Sequence, residues 1–142
     1  MAKPAPPAMP LDVQEQFEAC KAHLAAKYQA LGIEPDVLLI HLPDLGKHVI
    51  LKPWPMQRRN LAYRQLDSMG RVEGAAKLAE AVVVDCAWYV TGQPTDGPDG
   101  AVKYLRDLAN LGGKYMNVID QIGGEFLSLT GEMGGKAAGK KL

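Results

Sequence analysis

Two stretches decide the fold of this 142-residue chain: Lys47-His-Val-Ile-Leu-Lys-Pro-Trp-Pro55 and Leu78-Ala-Glu-Ala-Val-Val-Val-Asp-Cys-Ala-Trp-Tyr89. The first opens as a strand and is stopped by Pro53 and Pro55, because proline cannot donate to a ladder and has a fixed φ. Pro55 then suits the first turn of a helix. Met56 to Met69 follows, with Ala62, Leu66 and Met69 on one face and Arg58, Arg59 and Arg64 largely elsewhere. A basic, exposed helix is predicted. From Val72 to Tyr89 the apolar residues Ala75, Leu78, Ala79, Val82, Val83, Cys86 and Tyr89 cover more than one face, the pattern of a central helix. Three consecutive valines favour a competing strand over 82–90. The alanine-rich lead-in decides for helix.

Working outward, Asp36 to His41 and His48 to Lys52 read as two strands of a small hairpin. Between them, Leu42-Pro-Asp-Leu-Gly46 supplies turn chemistry. Two strands alone are marginal in water, so the hairpin must lie against helices. Upstream, Val13, Phe17, Cys20, Leu24, Tyr28 and Leu31 form one helical stripe. Asp12 is its expected N-cap, Glu15 completes a capping box, and Gly32 takes the C′ position.

Downstream, Thr91 to Gly100 reads as a loop, and Asp99 caps a short helix carrying Val102, Leu105, Leu108 and Ala109. The Gly112-Gly113 pair breaks that helix. A last one follows with Tyr115, Ile119, Ile122, Phe126 and Leu129 on one stripe. Gly123 and Gly124 weaken it by about 1 kcal/mol each relative to alanine, and read as points of close approach by another element.

The expected fold is therefore α+β and predominantly α-helical, about five helices with one small β-hairpin packed against them. Residues 1–10, with four prolines, are expected to be a disordered arm. Residues 11–131 form a single globular domain, and 132–142 a flexible Gly/Lys-rich tail.

Sixteen basic and sixteen acidic side chains cancel, so no net field points to nucleic acid or a membrane as the main partner. The most apolar run, Ala79 to Val90, is interrupted by Glu80 and Asp85 and is too short to span a bilayer. No signal peptide is read at the N-terminus. Cys20 and Cys86 sit on apolar helix faces and read as buried free thiols, which points to the cytoplasm.

Catalytic chemistry is not legible. His41 and His48 flank the turn and approach across the hairpin, and with Asp36 or Asp44 they could hold a metal. No ligand spacing is diagnostic, however, so they read as structural and neither metal nor cofactor is expected. Cys20 and His23 are neighbours on one helix, but no orienting third group or oxyanion hole accompanies them. Gly134 to Lys141 matches half of a phosphate-binding loop, with Lys141 where Ser or Thr must bind magnesium. Asp96-Gly-Pro-Asp-Gly100 has the composition of a calcium loop without its alternating ligands, and reads as a turn. A non-enzymatic protein is expected.

Arg58, Arg59, Arg64 and Arg71, with Trp54 and Tyr63 nearby, could contact phosphates and bases. Zero net charge and the lack of a nucleic-acid module argue instead for a solvated face or a protein-binding surface.

The order of these elements carries a resemblance: His48-Val-Ile-Leu-Lys-Pro53, an Arg-rich helix, Leu78-Ala-Glu-Ala-Val-Val-Val-Asp-Cys86, a Pro/Asp/Gly loop, and two helices closing on Phe126-Leu-Ser-Leu-Thr-Gly131. Over roughly residues 47–131 the chain resembles tail assembly chaperones of long-tailed bacteriophages and prophages. The resemblance implies a small helical protein of the bacterial host cytoplasm that binds the tape-measure protein during tail assembly. It also implies no catalytic residues. The expected partner-binding surface is Trp54, Met56, Arg58, Arg59, Tyr63 and Arg64, with Trp54 alternatively half-buried core. A homo-oligomer is possible on this reading. The alternative role is a structural virion component, either a head–tail connector or a tail-completion protein.

Overall fold

The computed structural model describes residues 10–66 and 70–131. Its elements run α1 (Leu11–Ala30), β1 (Leu38–Leu42), β2 (Lys47–Leu51), α2 (Met56–Leu66), α3 (Arg71–Cys86), β3 (Ala87–Val90), α4 (Gly97–Leu111), a 3₁₀ turn (Gly113–Tyr115) and α5 (Val118–Leu129). The fold is α+β and mostly helical, with five α-helices and one small antiparallel sheet among the described residues. The expected arm, apart from Pro10, and the expected tail with its phosphate-loop match lie outside the described residues.

β2 explains the layering. Val49, Ile50 and Leu51 are all fully buried, and consecutive strand residues point to opposite faces. Such a strand needs cover on both sides. On one face, Val49, Leu51, Ile40 and Leu42 join Val82, Val83, Leu105, Ile122 and Phe126 in the main core under α3, α4 and α5. On the other, Ile50 packs with Val13 and Cys20 of α1, and Phe17, Leu24, Leu39, Trp88 and Tyr89 surround them. The sheet thus lies between α1 and the remaining helices.

The hairpin has a third strand that sequence reasoning missed. The order is β1-β2-β3, antiparallel throughout. Residues 82–90 are neither wholly helix nor wholly strand: α3 runs through Cys86 and the backbone turns extended at Ala87 (φ −60°, ψ 131°). Val82 and Val83 are buried within α3, Val84 is on its open side, and the strand is carried by the aromatic pair Trp88-Tyr89. Val49 pairs with Val90 and Ile50 with Tyr89, whereas Leu51 pairs with Ala87, so Trp88 is the extra residue of a bulge. Both aromatics pack against the α1 layer.

Local signals met three further corrections. α1 starts at Leu11 with Pro10 in the cap position and no side-chain cap bond, so Asp12 is a first-turn residue and not a cap. Its other end follows the prediction. Gly32 (φ +73°) donates to Gln29 and Ile33 donates to Tyr28, a Schellman closure. α4 begins at Gly97, earlier than predicted, and Asp99 lies in its first turn. Tyr115 precedes α5 and belongs to the 3₁₀ turn.

Of the two glycines in α5, only Gly123 marks a close approach. A Cβ built there would lie 2.5 Å from both Cα and Cβ of Ala79 in α3, whereas one on Gly124 meets nothing within 4 Å. Gly123→Ala is expected to cost about 1–3 kcal/mol by overpacking. Gly124→Ala is expected to stabilise by about 0.5–1 kcal/mol through helix propensity. Urea unfolding midpoints of the two variants should move in opposite directions.

Candidate functional site

The predicted surface is built around the corner between β2 and α2. Pro53 and Pro55 turn the chain, and Arg59 N–H donating to the Pro55 carbonyl (2.9 Å) starts the helix. Trp54, between the prolines, is half-buried. Its ring meets Phe126 edge-on (centroids 6.1 Å, 75°) and Tyr63 at a tilt (6.4 Å, 38°). Its indole Nε1–H donates to Asp85 Oδ2 at 2.9 Å. Trp54 is therefore a brace between the sheet corner and α3, and only part of its ring is available to a partner.

Asp85 takes a second donor from α2. Arg58 donates to its Oδ1 through Nη2 at 2.8 Å and Nε at 3.3 Å. The carboxylate side chain is only 9% exposed, while that of Arg58 is 56% exposed. The Asp85 hydrogen bonds and charge hold the Arg58 guanidinium protonated more firmly than usual. Sequence places Arg58 on a solvated face that pairs with acidic neighbours but does not name Asp85 as its partner. The signal was present in Asp85, an acid interrupting a buried helical run.

The other predicted residues divide by exposure. Met56 is 66% exposed at the start of α2. Arg64 is exposed near its end, and Arg59 and Tyr63 are half-buried. α2 contains no acidic residue. Leu61 and Val84, absent from the prediction, are 40% and 41% exposed on facing helices. They line a groove of about 280 Å³ between α2 and α3, together with Arg58, Ala62, Leu66 and Asp85. On the far side of Trp54, a cleft of about 380 Å³ is lined by Leu38, Pro53, Trp54, Met56, Arg59 and Phe126. Of the six predicted residues, Arg58 lines the α2–α3 groove, whereas Trp54, Met56 and Arg59 line the second cleft; Tyr63 and Arg64 line neither.

The remaining candidates carry no nucleophilic chemistry. Cys20 and Cys86 are buried free thiols. Burial pushes the Cys20 thiol up to about 11, against a weaker opposing effect of Lys52, and pushes Cys86 higher still. A thiolate is the reactive form of cysteine, so both are inert at neutral pH. His23 stacks at a tilt on Trp88 (5.0 Å). Asp96 and Asp99 flank the start of α4. Among the described residues, no three His, Cys, Asp or Glu side chains converge on a metal position. No described helix is long and apolar enough to cross a membrane.

His41 and His48 do meet across the hairpin, as predicted, with centroids 4.4 Å apart and planes at 25°. Burial, and secondarily the neighbouring His41, hold His48 below its ordinary 6.5, with Asp12 opposing. Tyr89 donates its hydroxyl to Asp12 Oδ2 at 2.7 Å; burial first, then that bond, raise the phenol to about 12.

The chain matches no protein-family model, no curated protein and no solved structure.

Asp85→Ala strands the Trp54 N–H and should cost about 1.5–3 kcal/mol, the range for a hydrogen bond to a charged acceptor. Arg58→Ala should shift the urea midpoint far less, because its partner keeps the Trp54 bond and exposed ion pairs contribute little. For pH, the depressed His48 means the unfolded chain binds more protons below its ordinary 6.5. Its contribution to stability is complete above that value and is lost as pH falls towards the folded value. His48→Asn should flatten this part of the stability–pH profile.

Proposed function

We propose that this protein is a non-enzymatic tail assembly chaperone of a long-tailed phage or prophage, and that it binds its tape-measure client through α2 and the two hollows beside it. The observation that carries the binding reading is the make-up of α2. It has three arginines and no acid, with Met56 and Leu61 exposed among them. An amphipathic helix that carries acidic residues beside its apolar stripe complements such a surface. The stripe would fill the α2–α3 groove and the acids would face Arg64 and the outer side of Arg58.

The order of elements from Lys47 to Gly131 supports the assignment of the client, through its resemblance to the chaperone family. The rigid corner supports the binding mode. Trp54, Arg58 and Asp85 hold the surface in place before any partner arrives, and preorganisation lowers the ordering cost of binding.

The test is mass spectrometry on an affinity pull-down from the native source and on purified particles. A tape-measure protein recovered in the pull-down, with this chain absent from particles, supports the reading. Fixed-copy presence in particles overturns it in favour of a structural virion component, and recovery of no long helical client overturns it outright. In the same assay Leu61→Glu with Arg64→Glu should reduce client capture at least about tenfold, as expected for a hot-spot loss of about 2 kcal/mol. Undiminished capture would move the client to another face.

A further inference from the structure

We propose that the His41–His48 pair is a two-ligand site for a divalent transition metal of the nickel, copper and zinc group. It does not depend on the reading of α2.

The backbone sets the geometry. His41 and His48 are direct partners in the β1–β2 register. The His48 N–H donates to Thr91 Oγ1 (2.9 Å) and its carbonyl accepts from the Thr91 N–H (3.0 Å). Both backbone groups of His48 therefore face β3, and towards β1 the pair is of the non-hydrogen-bonded kind. That kind brings opposing residues closest, about 4.5 Å between Cα atoms. The side chains leave the same face of the sheet, one from each strand.

A chelate requires one ring to turn. Two nitrogens held about 2.0–2.1 Å from a tetrahedral metal lie roughly 3.3 Å apart. The rings are stacked, with centroids 4.4 Å apart and planes at 25°, so their in-plane lone pairs run nearly parallel. His41 is exposed, and rotation of its side chain out of the stack would aim a nitrogen at a metal shared with His48. Nδ1 of His48 is buried and meets no hydrogen-bond partner among the described residues. Coordination would satisfy its lone pair.

The chemistry selects the ion. Imidazole nitrogens favour nickel, copper and zinc, whereas magnesium and calcium require oxygen ligands. Cys20 and Cys86 are buried and do not compete, and His23 lies against Trp88. With no third His, Cys, Asp or Glu in the cluster among the described residues, water or an added ligand would fill the remaining positions. Binding should be reversible.

The test is a nickel chloride titration of the full chain without a polyhistidine tag, followed by thermal unfolding and by amide NMR. The expected result is a saturable rise in Tm that EDTA reverses, because a ligand of the folded state stabilises it. Paramagnetic broadening should centre on His41, His48 and Thr91. His41→Asn and His48→Asn should each lose the rise, and His23→Asn should keep it. His41 is exposed, so H41N remains a fair test if H48N folds poorly. No saturable rise in the unaltered chain, or a rise unchanged in H41N, overturns the proposal.

Discussion

The Asp85 carboxylate is the point on which the arrangement of the other elements around α2 depends. It projects from α3, nearly buried, and is claimed from two directions: by the Trp54 indole at the exit of β2 and by the Arg58 guanidinium in the first turn of α2. A buried carboxylate is tolerated when charge-assisted hydrogen bonds satisfy it. Here the satisfying groups come from the segment that must be positioned. One interaction therefore ties the sheet, the proline corner and the basic helix to the central helix. The Trp54 ring, edge-on to Phe126, extends the tie to α5. The exposed surface of α2 rests on this joint, because Ala62 is its only residue described as buried.

How much of this was legible in the sequence differs by element. The α1 stripe, the hairpin and the C′ glycine follow from local periodicity and backbone rules, and the structure places them as predicted except for Leu31, which lies past the end of α1 and is 77% exposed. The boundary at Cys86 is different. Helical periodicity and β-branched propensity pulled opposite ways over residues 82–90, and each prevailed in part. What settled it was non-local: Lys52 N–H reaches the Cys86 carbonyl at 2.7 Å, so β2 recruits the chain into the sheet just where α3 ends. No window of sequence contains both residues. Asp12, one residue inside α1, likewise has a non-local partner, the Tyr89 hydroxyl of β3.

The candidate surface was legible as a list and not as a structure. Composition placed arginines and aromatics near one another, but not which of them were engaged. Trp54 and Arg58 turned out to hold the surface together, while Leu61 and Val84, ordinary apolar residues in sequence, form its open groove. A single helical wheel does not show that the apolar residues of two helices flank a common groove. The histidine pair shows the converse. Turn placement alone brought His41 and His48 together, because a hairpin's register follows from its loop.

The central claim is that Asp85 positions α2, and amide hydrogen exchange on Asp85→Ala tests it most directly. The account predicts that protection falls across Met56–Leu66 and the proline corner, while β1, β2, β3 and α5 keep theirs. Protection lost evenly across the whole domain, or retained in α2, would contradict it, and would mean that packing alone holds the basic helix where it is.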